Sequence, residues 1–278
     1  MSYDLKEKVV LVTGAANGIG SHIVRYALDE GAKHVAVLDV STNGIEFVAE
    51  LRSKHGDEKA SFYKCDVTDE VLLKSTFEEI KAKNGYIDVV VNNAGIMNDS
   101  LQLYKKEMEI NFLALVISTL KALEIMREDE GGKGGTIINI ASVAALIQMP
   151  MLPIYFATKS AVLQFSNCIG MNEYFLRTKV RVLTVCFGTT DSSLLHSTKY
   201  GNFDPVIEKT IEGALKGFPY QSMESAAKGV IEAYKKGTSG STWVVENDKP
   251  AKDISDNIKK GYEAFQKDVF THLPTSSS

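Results

Sequence analysis

The sequence lacks the cysteines and histidines that a disulfide framework or a zinc site would need. Its three cysteines, Cys65, Cys168 and Cys186, lie far apart and form no Cys-x-x-Cys pair, and its five histidines are scattered in the same way. A stapled secreted domain and a zinc enzyme are therefore both disfavoured. We predict no metal site, and we expect the cysteines to be buried free thiols in a reducing compartment.

The sequence also lacks an excess of positive charge and a long apolar run. Its formal net charge is −4 at pH 7, which argues against a nucleic-acid-binding protein and against a polybasic protein of membrane surfaces. No segment approaches the ~18 consecutive apolar residues of a membrane-spanning helix, and the N-terminus is charged from Asp4 onward. We therefore expect a cytoplasmic protein with no membrane span and no nucleic-acid partner.

The composition is that of an ordinary globular domain. Of the 278 residues, 44% are hydrophobic and 24% are charged, and the chain is long enough to bury a large core. Short β-branched apolar runs alternate with segments of helical periodicity, which is typical of a parallel sheet with crossover helices. We predict one α/β domain over residues 1–278, a doubly wound, Rossmann-like parallel sheet of about seven strands with helices on both faces.

A glycine-rich turn, T-G-A-A-N-G-I-G, follows the first apolar run, Val9–Val12, and opens a helical segment. Gly14 would permit the tight turn, Gly18 would let backbone approach a pyrophosphate, and Gly20 would allow close packing of helix on strand. The free N–H groups of a helix N-terminus suit phosphate groups. We predict that this turn binds a dinucleotide through Gly14, Asn17, Gly18, Ile19 and Gly20.

A carboxylate ends the second strand pattern. Asp39 lies nineteen residues beyond Gly20, at the distance where an acidic residue accepts hydrogen bonds from the adenosine ribose hydroxyls. It would repel a 2′-phosphate, and the neighbouring residues carry no compensating positive charge. We predict NAD rather than NADP, with Asp39 and Val40 at the ribose. The alternative is that Asp39 caps the helix that follows.

Two further strand ends carry residues suited to a dinucleotide. Asp66 would accept a hydrogen bond from the adenine amino group and Val67 would pack against the ring, although a helix cap is an alternative for Asp66. Asn93, Ala94 and Gly95 follow the fourth apolar run. Small residues there let backbone lie against a cofactor, and asparagine side chains fasten neighbouring loops.

A serine and a tyrosine–lysine pair follow the fifth apolar run. Ser142 ends that run, and Tyr155 and Lys159 lie four residues apart near the start of a long helical pattern, Ile154–Phe175. Residues at this spacing share one helix face. An ammonium group favours a nearby phenolate, so we expect Lys159 to lower the pKa of Tyr155 and make it a general acid or base. A solvated pair on an ordinary helix is the plainer alternative.

Together, these motifs resemble those of the short-chain dehydrogenase/reductase family over nearly the whole chain, from about Lys8 to Val245. The sequence is most similar to the single-domain branch, and within it to insect alcohol-dehydrogenase-like and photoreceptor-dehydrogenase proteins, with prostaglandin dehydrogenases further off. The resemblance implies that Tyr155 is the catalytic acid/base and that Ser142 orients the substrate oxygen. It also implies that Lys159 binds the nicotinamide ribose and that Asn111, in M-E-I-N-F, kinks its helix and holds a water of the proton relay.

The sequence departs from the family pattern in two places. Phe187 replaces a usual proline before Gly188, so we expect the loop that closes the nicotinamide pocket to be looser or differently directed. Gly188, Thr189 and Thr190 would still contact the cofactor. Leu152 stands where the prostaglandin dehydrogenases have a glutamine, which argues against a prostaglandin substrate.

The segment 189–221 is rich in apolar residues and would roof the substrate site. Together with other apolar residues it predicts a small lipophilic alcohol or ketone as substrate, namely a secondary, isoprenoid or retinoid alcohol. The residues expected to form the cavity are Ile96, Met97, Leu146, Met149, Met151, Leu152, Leu194, Leu195, Tyr200, Phe203, Leu215 and Phe218. A methionine-rich stretch is also typical of an ordinary core. We predict an amphipathic helix over 253–270 and a tail over 272–278. Apolar faces on the helices of Asn111 and Tyr155 indicate a homodimer or homotetramer. The residues expected at this interface are Phe112, Leu115, Val116, Leu163, Phe165 and Ile169.

The main prediction is therefore an NAD-dependent oxidoreductase that transfers a hydride between a lipophilic alcohol and the cofactor. Two alternatives remain from other classes of protein. A catalytically idle NAD-binding sensor or interaction module would need only the glycine turn and Asp39, and not the set of Asn111, Ser142, Tyr155 and Lys159. A glycine-rich methyltransferase would have no use for a tyrosine–lysine pair.

Overall fold

One sheet of eight strands forms the centre of the computed structural model, which describes residues 3–269. The apolar runs of the sequence become its strands because β-branched side chains suit a pleated surface that is covered on both faces. Strands β1–β7 are parallel, and β8 is antiparallel to β7. The strands are β1 (Val9–Thr13), β2 (His34–Asp39), β3 (Ala60–Lys64), β4 (Val89–Asn92), β5 (Gly135–Ser142), β6 (Val180–Phe187), β7 (Thr242–Val245) and β8 (Lys252–Asp253).

The strand order is β3-β2-β1-β4-β5-β6-β7-β8. It confirms the predicted doubly wound, Rossmann-like fold, with seven parallel strands and one additional two-residue edge strand. The order reverses between β1 and β4, and ligands of open α/β sheets bind beyond the carboxyl ends of the strands at such a reversal. The glycine turn after β1 and the segment Asn93–Gly95 after β4 therefore meet at the same edge.

Helices cover both faces of the sheet. On one face α1, α2 and α10 pack against side chains such as Val10 and Val12, and on the other α3, α5 and α6 pack against Val9 and Leu11. The α-helices are α1 (Gly18–Asp29), α2 (Asn43–His55), α3 (Glu70–Asn84), α4 (Tyr104–Met108), α5 (Ala114–Met126), α6 (Pro153–Ile169), α7 (Asn172–Thr178), α8 (Pro205–Glu208), α9 (Ile211–Lys216), α10 (Met223–Lys236) and α11 (Ser255–Val269).

The C-terminal helix begins later than the sequence predicts. α11 runs over Ser255–Val269, because Lys252 and Asp253 pair with β7 instead of entering the helix. Phe270 and the predicted tail over 272–278 lie outside the described residues. Exposed side chains on α11 include Tyr262 and Phe265.

The expectation for the cysteines is partly wrong. Cys65 and Cys186 are buried free thiols, but Cys168 is exposed on α6. Within residues 3–269, no group of three or more histidine, cysteine or acidic side chains is arranged to hold a metal ion. In the same range, no helix combines the length and the apolar character that a membrane crossing requires.

Candidate active site

Two clefts open at the carboxyl edge of the sheet, beyond β1, β4 and β5. The outer cleft is bordered by the glycine turn and the ends of β2 and β3, and the inner cleft by the end of β5, the start of α6 and the segment after β6. Six residues border both clefts, so the two clefts adjoin: Ile19, Asn93, Gly95, Ile96, Ser192 and Leu194.

The glycine turn takes the form that its spacing predicts. Gly14 and Gly18 both have positive φ, at 62° and 58°. A Cβ on Gly14 would lie 2.8 Å from Cα of Ala94, whereas one on Gly18 would meet nothing within 4 Å. Gly14 and Gly18 border the outer cleft, as do Asn17 and Ile19.

Gly20 does not border either cleft and is a packing residue. A Cβ at this position would lie 2.2 Å from the carbonyl oxygen of Gly14 and 2.7 Å from Nδ2 of Asn93. The geometry fits its predicted role in close packing of helix on strand. Even alanine at this position would force the glycine turn to move.

The N-terminus of α1 points its free N–H groups at the outer cleft. Asn17 precedes the helix without making a side-chain capping bond, and the first turn contains no acidic residue. Unpaired N–H groups and the positive end of the helix dipole favour a bound anion. The geometry therefore fits the phosphate groups of a dinucleotide.

Asp39 ends β2 at the rim of the outer cleft, beside Val40, of which 57% is exposed. Its carboxylate accepts hydrogen bonds from the backbone N–H of Ala16 and of Ser41, both at 2.9 Å. The cap of α2 is Thr42, so Asp39 is not a helix cap. Instead it joins the glycine turn to the segment after β2, and its remaining lone pairs can accept further donors.

Asp66 and Val67 follow β3 and border the outer cleft, as Asp39 does. Asp66 is not a helix cap either, because Asp69 caps α3. Its carboxylate accepts hydrogen bonds from the N–H and hydroxyl of Thr68 and forms an ion pair with Lys106 at 3.1 Å. Lys106 also borders this cleft, although no sequence motif marks it.

Asn93 and Ala94 hold the end of β4 against the end of β1. The side-chain amide of Asn93 donates hydrogen bonds to the carbonyl oxygens of Thr13 and Gly14, at 3.0 and 3.1 Å. The hydroxyl of Thr13 accepts from the N–H groups of Asn93 and Ala94. Gly95 continues the segment into the space between the two clefts. The predicted role of asparagine in fastening neighbouring loops therefore fits Asn93.

Ser142, Tyr155 and Lys159 come together at the floor of the inner cleft. Ser142 is the last residue of β5, and its hydroxyl lies beside that of Tyr155 on the first turn of α6. Lys159, one turn further along α6, donates a hydrogen bond to the carbonyl oxygen of Ile140 at 3.1 Å. All three side chains are less than 10% exposed.

The pKa of Tyr155 differs from the sequence-based expectation. Burial raises the pKa of Tyr155 to about 12, and the hydrogen bond to Ser142 opposes this rise only in part. Burial also lowers the pKa of Lys159 to about 8. The expected lowering of the tyrosine pKa by Lys159 is therefore absent from the free protein, because the loss of hydration dominates at this depth.

Asn111 lies in a π-helical turn, Glu109–Leu113, that separates α4 from α5. Its side chain accepts a hydrogen bond from the N–H of Ile96 at 2.9 Å and donates one to the carbonyl oxygen of Ile96 at 2.8 Å. A single π-helical turn of this kind is frequent at functional sites. Asn111 faces the space beside Gly95, where a Cβ would lie 3.3 Å from Oδ1 of Asn111 and 3.6 Å from Nζ of Lys159.

The loop after β6 is ordered by hydrogen bonds. Without proline, β6 continues through Phe187, which pairs with Ser142 of β5. The N–H of Gly188 donates to Val245 at 2.9 Å, and the hydroxyl of Thr190 donates to Gly188 at 3.0 Å. These hydrogen bonds direct the loop so that Gly188, Thr189 and Thr190 all border the inner cleft.

Apolar side chains form the remaining wall of the inner cleft. The segment 189–221 contributes to this wall through a short 3₁₀ turn and α9. Of its expected residues, Tyr200 packs against the neighbouring apolar side chains without bordering the cleft, and Phe203 is exposed. Of the other expected residues, Leu146 and Met149 do not border the cleft. The apolar wall comprises Ile96, Met97, Ile147, Met151, Leu152, Phe156, Leu194, Leu195, Leu215 and Phe218.

Two buried acids beside the site were not predicted. Asp99, after β4, and Glu107, on α4, are both fully buried. The carboxylate of Asp99 accepts hydrogen bonds from the N–H groups of Ile154 and Tyr155, at 2.6 and 3.0 Å. Burial raises the pKa of both acids. Only the fold brings them together, since neither follows a recognisable motif.

Comparison with known proteins identifies the family. A family model for short chain dehydrogenases matches residues 8–201. The chain is 33% identical over 228 residues to the 15-hydroxyprostaglandin dehydrogenase [NAD(+)] of Rattus norvegicus, which covers 81% of this chain and 85% of the relative. It is 30% identical over 243 residues to alcohol dehydrogenase 1 of Ceratitis capitata, which covers 86% and 92%. Both the insect alcohol dehydrogenases and the prostaglandin dehydrogenases named in the sequence comparison are therefore relatives of this chain.

Solved structures share the fold at lower identity. The NADPH-dependent 3-quinuclidinone reductase from Rhodotorula rubra has a TM-score of 0.72 at 22% identity, covering 88% of this chain and 92% of that one. The 3-ketoacyl-(acyl-carrier-protein) reductase from Brucella melitensis, complexed with NADH, has a TM-score of 0.71 at 23% identity, covering 88% and 98%. The chain therefore belongs to the short-chain dehydrogenase family, and it is an oxidoreductase that acts on alcohols with a nicotinamide cofactor.

Proposed function

We propose that this protein is an NAD-dependent dehydrogenase of lipophilic alcohols in which Tyr155 is the general acid/base. The observation that carries the proposal is the buried tyrosine hydroxyl beside the hydroxyl of Ser142, one helical turn from Lys159. Two hydroxyls at the floor of an apolar cleft suit the oxygen of an alcohol or ketone.

The outer cleft fits a dinucleotide. The uncapped N-terminus of α1 would hold the pyrophosphate, with the open side of Gly18 facing it. Asp39 would accept hydrogen bonds from the ribose hydroxyls of the adenosine, and Val67 would pack against the adenine. When bound, the cofactor supplies the hydride acceptor and a positively charged ring near the tyrosine. Gly188, Thr189 and Thr190 would border the nicotinamide end.

The choice of NAD over NADP rests on charge. The carboxylate of Asp39 would repel a 2′-phosphate, and the side chain beside it, Val40, is apolar. Among the described residues that border the outer cleft, Lys106 is the one cation, and it is already paired with Asp66. No described cation at the rim is therefore available to neutralise a phosphate at the ribose.

Tyr155 would remove the hydroxyl proton during alcohol oxidation and return it during ketone reduction. Ser142 would donate a hydrogen bond to the same oxygen and orient it. The positive charge of Lys159 would favour the phenolate, which burial otherwise makes costly. Charge stabilisation of this kind is largest in a site that excludes water.

Asn111 would complete a path for the proton. Its Oδ1 and Nζ of Lys159 border the same space beside Gly95. A water in that space would have at least two polar partners, which a stable buried water requires. The proton would then leave Lys159 toward Asn111 and the carbonyl oxygen of Ile96, to which Asn111 is fixed by two hydrogen bonds.

The walls of the inner cleft favour a neutral lipophilic substrate. Among the described residues that border this cleft, Lys159 is the one cation, and it is buried and bonded to Ile140. An anionic substrate such as a prostaglandin would find no exposed basic side chain there, and the residue at position 152 is leucine. A secondary, isoprenoid or retinoid alcohol matches the cleft better.

A homodimer or homotetramer remains part of the proposal. The helices α5 and α6 expose Leu120 and half-expose Phe165, and Leu113 precedes α5 with 53% of its surface exposed. Other apolar residues expected at this interface, Leu115 and Leu163, are buried within the subunit. Light scattering after size-exclusion chromatography would report the mass directly, and a monomer would contradict the proposal.

The experiment that tests the function is an alcohol panel. Cyclohexanol, geraniol, retinol and testosterone would each be offered with NAD or NADP, and the absorbance of the reduced cofactor would be followed. We expect turnover with NAD and at least one of these alcohols. Binding of NADH, detected by its fluorescence, without turnover of any alcohol or of the matching carbonyl compounds would favour the idle NAD-binding alternative.

A further inference from the structure

A pair of buried carboxyl groups connects the candidate site to the rest of the fold. Asp99 lies in the loop after β4, and Glu107 lies on α4, and the exposed fraction of each is 0%. An ionised carboxylate without partners is very costly to bury, so such groups are either paired or neutral. The surroundings of each acid indicate which applies.

Asp99 supplies the cap that α6 lacks in its own sequence. The residue before α6, Leu152, makes no side-chain capping bond. The two carboxylate oxygens of Asp99 accept the N–H groups of Ile154 and Tyr155, at 2.6 and 3.0 Å. Free N–H groups and the helix dipole at an N-terminus stabilise a negative charge. Asp99 is therefore the member of the pair that carries the charge.

Glu107 carries the proton. Its Oε1 accepts the N–H of Asn98 at 2.9 Å, and its buried Oε2 has no described donor. An unpartnered carboxylate oxygen is costly to bury, and Glu107 is tied through the N–H of Asn98 to the residue next to the buried Asp99, so one of the two acids holds a proton. Asp99 accepts two N–H groups and Glu107 accepts one, so the proton resides on Glu107.

The same loop holds the segment that follows β6. The N–H of Asp99 donates to the carbonyl oxygen of Gly201 at 2.9 Å, and the side chain of Asn98 donates to that of Lys199 at 2.9 Å. Asn202 in turn donates to Met151, shortly before α6, at 2.8 Å. Three parts of the fold thus meet around Asp99: the first turn of α6, α4 and the segment 199–202.

We propose that Asp99 and Glu107 share one proton and act as a positioning pair. The pair fixes Tyr155 relative to the segment 199–202. The inference rests on the proposed function, because it assigns the pair to the positioning of the acid/base. Neither acid borders the inner cleft or touches the substrate space. The contact of the pair with Tyr155 is the hydrogen bond from the backbone N–H of Tyr155 to the carboxylate of Asp99.

Three variants test the pair in the full-length protein. Glu107→Gln retains a donor toward Asp99 and an acceptor for Asn98, so we expect it to keep the wild-type kcat/KM for the best alcohol of the panel. Glu107→Leu removes both and should lower kcat/KM. Asp99→Asn keeps the shape but loses one acceptor for the first turn of α6, and we expect a fall in kcat/KM on the order of 100-fold. Glu109→Gln, on an exposed neighbour, is the matched control.

The dissociation constant for NADH, measured by fluorescence, should be unchanged in all of these variants. Equal loss in Glu107→Gln and Glu107→Leu would overturn the proton assignment, because a neutral amide should replace a neutral acid. Wild-type kcat/KM in Asp99→Asn would overturn the positioning role. A general loss of folding would instead lower NADH binding and turnover together.

Two readouts do not depend on turnover. Infrared spectroscopy of the wild type near neutral pH should contain a carbonyl band of a protonated carboxylic acid that is missing in Glu107→Gln. Hydrogen exchange at the amides of Ile154 and Tyr155 should be faster in Asp99→Asn than in Glu109→Gln. If no alcohol is oxidised, the proposed function fails, and these two measurements still decide the pair. Absence of the band, or unchanged exchange, would overturn it.

Discussion

The side-chain nitrogen of Lys159 lies 5.8 Å from the centre of the Tyr155 ring and donates its hydrogen bond to Ile140. No hydrogen bond joins the two side chains in the described residues, so in the proposed mechanism the lysine would act on the phenol through its charge. Burial opposes that action, since it raises the pKa of Tyr155 to about 12 and lowers that of Lys159 to about 8. The balance of these effects should appear in the pH dependence of the rate.

Alcohol oxidation needs the phenolate of Tyr155, so kcat/KM for the alcohol should rise with pH, while that for ketone reduction should fall. Lys159→Met removes a positive charge that favours the phenolate. We expect the rising limb of the oxidation profile to move to higher pH by about 1 to 3 units, because a nearby opposite charge shifts a pKa by about that amount. The measurement is the pH–rate profile at saturating NAD.

Lys133→Met is the matched control for that profile. Lys133 lies 5.3 Å from the ring of Tyr86, in a similar lysine–tyrosine pair on the protein surface, far along the chain from the site. Its removal should leave the limb in place. A profile that stays fixed in Lys159→Met would contradict a charge effect of this lysine on the acid/base.

Asp39→Asn should weaken the preference for NAD. The amide cannot accept two backbone donors and two ribose hydroxyls as the carboxylate can, and it no longer repels a 2′-phosphate. A hydrogen bond to a charged group contributes about 1.5–3 kcal/mol, so the ratio of kcat/KM for NAD and NADP should fall by about 10-fold or more. Asp57→Asn, on an exposed loop, should leave the ratio unchanged. A wild-type enzyme that prefers NADP would refute the role of Asp39.

Glu107 should make the stability of the protein depend on pH. Burial raises its pKa in the folded state to about 8, from about 4.5 in the unfolded chain. Between these values the unfolded chain binds fewer protons, so the free energy of unfolding falls as pH rises, by up to about 1.4 kcal/mol per pH unit. Glu107→Gln removes this dependence.

Thermal unfolding of the wild type and of Glu107→Gln should therefore differ more at pH 8 than at pH 5, with the variant the more stable at pH 8. Glu109→Gln makes the same change at an exposed residue, so it shows how much the loss of one negative charge by itself alters the thermal stability at each pH. Equal differences at the two pH values would show that Glu107 is ionised in the folded protein, contrary to the shared proton.

The sequence allowed most of the fold and much of the site to be predicted, because these depend on local patterns. Apolar runs mark the strands, the glycine spacing marks the turn, and the carboxyl ends of parallel strands meet at one edge. Ser142, Tyr155 and Lys159 could be assigned because two lie on one helix face and the third ends a strand. Their placement at one edge of the sheet needs only the periodicity of each element, whereas their catalytic roles are implied by the resemblance to the family.

The remaining features depend on contacts that no local pattern records. Glu107 stands among lysines in K-K-E-M-E-I and appears in sequence as an exposed residue, yet the packing of α4 buries it against Asp99. The ion pair of Lys106 with Asp66 joins positions forty residues apart. The high pKa of Tyr155 follows from burial, which the spacing of tyrosine and lysine does not reveal.

The most direct test of the account is the variant Tyr155→Phe, which removes one hydroxyl from the floor of the inner cleft. General acid/base catalysis contributes about 100- to 10,000-fold to a rate, so kcat should fall by that factor. The dissociation constant for NADH should stay the same, and Tyr174→Phe, on the exposed side of α7, should retain full activity. A Tyr155→Phe enzyme with the wild-type kcat would contradict the account.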